Sequence, residues 1–101
     1  MRPPQECTSI EEVRAAIDML DRTIVETLGQ RFGYVKAVTR FKKSADDVAA
    51  PARAQQVIAT RRAWAVEAGL DPELVEQLYR LMINHFIEEE LKLLRARKEL
   101  D

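Results

Sequence analysis

The stretch SIEEVRAAIDMLDRTIVETLGQRFGYVKAVTRF, running from Ser9 to Phe41, decides the fold. Along it Ile10, Val13, Ile17, Leu20, Ile24, Leu28, Phe32 and Val35 recur at steps of three and four. On a helix those positions form a single apolar stripe. Thr8…Glu11 and Ser9…Glu12 both fit a capping box, so the start is well signalled and its first residue is left open between them. Gly29 and Gly33 each cost a helix about 1 kcal/mol against alanine. No proline intervenes before Pro51. The spacing predicts a helix over 9–41.

Beyond it, the run from Lys42 to Ala50 (KKSADDVAA) reads as a polar, small-residue loop. Pro51 suits the first turn of a second helix over 51–68, which carries Val57, Ile58, Trp64 and Ala65. Gly69 is a natural residue to follow that helix. Asp71-Pro72-Glu73 then supplies a cap, a first-turn proline and a first-turn acid for a third helix over 72–98. Its apolar positions are Leu74, Val75, Leu78, Leu81, Met82, Phe86, Ile87, Leu91 and Leu94. No strand pattern, repeat or low-complexity run is visible. The expected architecture is all-α, three helices in the order long, short, long, forming one domain over 1–101.

Such a chain has a covering problem. A helix of about 33 residues is near 50 Å long, whereas a compact chain of this size has a radius of gyration of about 13 Å. One short partner helix leaves most of the first stripe bare. An intertwined homodimer, with long helices shared between two chains, is the expected remedy.

Bulk properties narrow the function. Of the 101 residues, 47% are hydrophobic and 33% charged, a globular balance. The net charge of -1 provides no field for a polyanion, which argues against nucleic acid as a partner. Cys7 is the single cysteine, so no internal disulfide can form, in keeping with a reducing cytoplasm. The first residues contain no signal-peptide core, and no apolar run reaches the ~18–20 residues of a membrane span. A cytoplasmic protein with no membrane partner is expected.

Four side chains do not fit a plain bundle. Arg14 and Arg31 border the apolar stripe, 17 positions apart, or about 25 Å along one helix. They cannot grip one small molecule from one chain. Antiparallel long helices in a dimer would bring Arg14 of one chain toward Arg31 of the other, and arginine forks suit carboxylates. Lys42 follows Arg31 by 11 positions, within about 20° of the same face. Glu90 is the most informative. Tyr79, Ile83, Phe86, Ile87 and Leu94 fall within about 60° of it on the helical wheel, while Glu88 and Glu89 point away. A carboxylate in an apolar arc should be paired, or protonated. By contrast Lys92, Arg95, Arg97 and Lys98 read as solvated helix-end charge. His85 has no metal-ligand partner at useful spacing, so no metal is expected, and Cys7 precedes the first helix, where a nucleophile has no site.

Taken in order, Cys7-Thr8-Ser9, Val13-Arg14-Ala15-Ala16-Ile17-Asp18, Tyr34-Val35-Lys36-Ala37, Arg40-Phe41-Lys42 and Pro51-x-Arg53 resemble the all-helical chorismate mutase family, and within it the isochorismate pyruvate-lyase branch. The resemblance covers nearly the whole chain. It implies an intertwined dimer with two shared active sites, no cofactor and a small dianionic substrate. It implies that Arg14 reaches one substrate carboxylate from the partner chain and that Arg31 holds another. Lys42 then reaches a carboxylate and the ether oxygen, and Glu90, where bacterial members usually carry glutamine, donates to that oxygen as an un-ionised acid. Arg53 is carried over as a substrate-binding residue.

The sequence departs from the mutase pattern at one point. A second-helix glutamate that binds the ring hydroxyl in mutases falls at Ala54, with Gln55 beside it as a possible substitute. The leading expectation is chorismate mutase. The alternatives are isochorismate pyruvate-lyase, giving salicylate and pyruvate, and a non-catalytic dimerisation or regulatory module.

Overall fold

The computed structural model describes residues 1–100, with side chains as far as Glu99. Its elements are a 3₁₀ turn at Pro4–Glu6 and four helices: α1 (Ile10–Thr39), α2 (Ala45–Ala49), α3 (Pro51–Glu67) and α4 (Pro72–Leu100). The described residues contain no strand. The chain is all-α, and its three principal helices follow the expected order. The five-residue α2 lies in the segment read from sequence as a loop.

Two compact units divide the chain, Met1–Tyr34 and Val35–Asp101. The first holds the opening turns and most of α1. Ser9 is the cap: its Oγ accepts from the Glu12 N–H at 3.1 Å. Glu12 reaches back one residue further than a strict capping box, accepting from both the N–H and the hydroxyl of Thr8 at 3.1 Å. Arg2 adds an ion pair to the same carboxylate at 3.4 Å. The stripe that predicted this helix is largely bare within the chain, with Ile10 and Ile24 56% exposed and Ile17 and Leu20 51% exposed.

The second unit holds the core: Val48, Val57, Ile58, Ala65 and Leu94 are all buried. Its frame is the hairpin of α3 and α4. Gly69, at φ 76°, ends α3 in the left-handed region. The Leu70 N–H reaches the Ala65 carbonyl at 2.8 Å and the Gly69 N–H reaches that of Val66 at 3.1 Å. This paired pattern closes a helix end and reverses the chain. Asp71 then caps α4, its Oδ1 accepting from the Glu73 N–H at 2.9 Å. Near the turn Arg62 pairs with Glu73 at 2.7 Å and with Glu76 at 2.8 Å.

The predicted first helix ends two residues early. From Arg40 to Lys42 the backbone tightens into bonds to the third preceding carbonyl. α2 follows, capped reciprocally: Ser44 Oγ accepts from the Asp47 N–H at 3.2 Å, and Asp47 accepts from the Lys43 N–H at 3.0 Å. The donated Lys43 N–H holds the Asp47 carboxyl below its ordinary value. Val48, 2% exposed, anchors α2, which packs on α4. One buried valine was too little periodicity to announce a helix from sequence.

Candidate active site

Lys42 emerges from the turn that closes α1, and Glu90 from the middle of α4. The lysine Nζ lies 2.8 Å from Glu90 Oε2, and it also donates to the Val48 carbonyl at 3.4 Å. The two side chains are only 17% and 8% exposed. Of the two states expected of an acid in that apolar arc, the structure has the paired one. Burial makes such a pair demanding, since both ions lose water and only good geometry offsets the loss.

One turn of α4 before Glu90, α3 and α4 enclose a cleft of about 470 Å³ whose lining includes neither Lys42 nor Glu90. Ala54, Gln55 and Ile58 line it from α3, and Ile83, Asn84 and Ile87 from α4. Ile83, Ile87 and Glu90 are spaced four and three apart, so the acid follows the cleft's apolar wall on the same face of α4. At the other end stand Arg62 and Arg80, both tied to Glu76 at 2.8 and 2.7 Å. Arg80 first and Arg62 second hold the Glu76 carboxyl below its usual range. A small molecule with an apolar body and a polar edge fits such walls.

The remaining expected residues sort as follows. Gln55 borders the cleft, and so does Ala54, where a glutamate was expected. Arg53 is exposed and bonded to Gln56 at 2.6 Å, and it is not among the cleft's lining residues. Arg14 and Arg31 belong to the first unit, Arg14 exposed and Arg31 half-buried. Lys92 sits on the surface with Glu89 at 3.2 Å. No cluster of metal-binding side chains occurs among the described residues. None of the described helices is long and apolar enough to cross a membrane.

Arg97 requires a correction. Grouped from sequence with solvated helix-end charges, it is half-buried and donates to the carbonyls of both Thr39, at 3.0 Å, and Lys42. The open carbonyls ending α1 attract a cation from another helix. A signal was present: Arg97 follows Glu90 by seven positions with buried Leu94 between them, within about 20° of the same face.

An all-α chain of long, short and long helices with a shielded lysine–carboxylate pair suits a chorismate mutase-type enzyme. The comparison with known families agrees: residues 13–91 match chorismate mutase type II, and the chain belongs to that family. It is 42% identical over 92 residues to the isochorismate pyruvate lyase of Pseudomonas aeruginosa, 91% of each chain being covered. With these findings the chain is an enzyme of the mutase or lyase type, not a bare dimerisation module.

Proposed function

We propose that the chain, acting as one helical domain over 1–101, converts chorismate to prephenate with Lys42 and Glu90 beside the breaking ether bond. The observation that supports this reading best is the 2.8 Å pair itself, shielded from water, with Glu90 one helical turn beyond the cleft residue Ile87. The rearrangement is pericyclic and needs no nucleophile, cofactor or metal. It needs the enolpyruvyl arm held over the ring, which is catalysis by orientation, and donors aimed at the ether oxygen as negative charge builds there. Lys42 exchanges part of its bond to Glu90 for that oxygen and for a carboxylate. Glu90 holds the ammonium toward the breaking bond. Arg31 holds a second carboxylate, Arg53 and Gln55 the ring edge, and Arg14 arrives from a second copy of the chain. The uncovered stripe of α1 supports that copy, because its isoleucines and Leu20 remain half exposed otherwise. The single cysteine supports a cytoplasmic setting.

A second reading has its own support. The Pseudomonas relative is an isochorismate pyruvate lyase, and Ala54 occupies the place of the mutase glutamate on the cleft wall. Isochorismate would then give salicylate and pyruvate beside the same two residues.

Pure protein supplied separately with each substrate, and its product identified by mass spectrometry, tests both. Prephenate from chorismate is expected. Salicylate with pyruvate from isochorismate alone transfers the assignment to the second reading. Lys42→Ala should lower turnover by about 10³-fold, the scale of a lost charge-stabilising donor, while the circular dichroism stays helical. Absence of both products overturns the proposal.

A further inference from the structure

We infer that Arg97 is a positioning residue that sets the reach of Lys42, an inference that adds to the catalytic reading above and rests on it. The turn from Thr39 to Lys42 closes through one bond, the Lys42 N–H to the Thr39 carbonyl at 3.1 Å. Arg97 spans the same turn from outside. Its Nη1 donates to the Thr39 carbonyl at 3.0 Å and its Nη2 to the Lys42 carbonyl. A planar fork with separate donors is suited to bridging two carbonyls, and a lysine in its place offers one flexible point.

The consequence lies in what else α4 holds. Glu90 grips the ammonium of Lys42, and Arg97, seven residues on, grips its main-chain carbonyl. The two residues share a face about 10 Å apart along the axis, with buried Leu94 between them. Lys42 is thus held at both ends from one helix. A lysine side chain has four rotatable bonds, and the location of Nζ depends on where its backbone begins. With Arg97 absent, the Lys42 carbonyl loses this anchor, the turn is free to shift, and Nζ is spread over several positions. Displacement of a reacting group by about 1 Å costs on the order of 100-fold in rate.

Two readouts on Arg97→Ala test this. The first is reductive methylation of each lysine, followed by mass spectrometry. Lys42 should react about 10-fold faster than in the wild type, with Lys92 and Lys98 unchanged; equal rates at Lys42 overturn the inference. The second is steady-state kinetics. A fall in kcat on the order of 100-fold, with KM changed by less than about 3-fold, and partial recovery on adding guanidinium, are expected. A kcat within 2-fold of wild type, or a loss proportional to unfolded protein, overturns it. Should the alanine variant not fold, Arg97→Gln carries both readouts. If the wild type turns over neither substrate, the catalytic reading fails by itself, and the methylation rates still decide whether Arg97 positions Lys42.

Discussion

Glu90 presents the sharpest question of charge in the chain. Its neighbours Glu88 and Glu89 point elsewhere on the wheel, and it alone of the three is buried, 6% exposed with Lys42 on its carboxylate. A carboxylate there pairs well with the lysine but repels a dianion, and it cannot donate to an ether oxygen. An amide of the same shape does neither harm. Glu90→Gln should therefore exceed the wild type in kcat/KM. The advantage should reach about fivefold or more, since two like charges about 4 Å apart cost about 1 kcal/mol even in water. A Glu90→Gln enzyme no faster than the wild type would refute the repulsion. Its burial was legible from the wheel. Its partner was not, because Lys42 lies 48 residues away and only tertiary packing brings the two together.

At the scale of elements, the segment joining α1 to α3 is where expectation and structure part. A reciprocal Ser44–Asp47 cap makes a short helix of it, and the exit passes through Ala50 at φ 37° and ψ 62°. A left-handed conformation costs a residue with a Cβ roughly 1–2 kcal/mol, and the ring of the following Pro51 restricts it further. Ala50→Gly should raise the thermal midpoint, with a net gain of about 0.5–1 kcal/mol after the extra freedom of glycine in the unfolded chain is deducted. A midpoint that falls would mean that the positive φ carries no strain. The hairpin end, by contrast, was readable: Gly69, Asp71 and Pro72 are local signals, and each performs the role its type suggests.

For the whole molecule the decisive surface is α1. Ile10, Ile17, Leu20 and Ile24 lie on one face, each about half exposed. Covering such side chains is worth about 1 kcal/mol apiece when half their area is still bare. A second copy supplies a matching stripe by symmetry. Ile17→Asp combined with Ile24→Asp should abolish the proposed dimer in analytical ultracentrifugation and turnover with it, because in that arrangement Arg14 would no longer reach a second site. A wild-type protein that sediments as a monomer under assay conditions and still turns over would refute the shared-site arrangement.

The three principal helices and their order, a capping box at Thr8 or Ser9, the cap at Asp71, and the odd placement of Glu90 were determined by the sequence itself. They depend on periodicity and on residues within four positions of one another, which is the range of helical bonding. The Lys42–Glu90 pair, the cleft between α3 and α4, and the hold of Arg97 on the end of α1 were decided by tertiary structure. Each joins residues far apart in the chain, and no local pattern records which side chain will meet an open carbonyl or a buried charge once the helices pack.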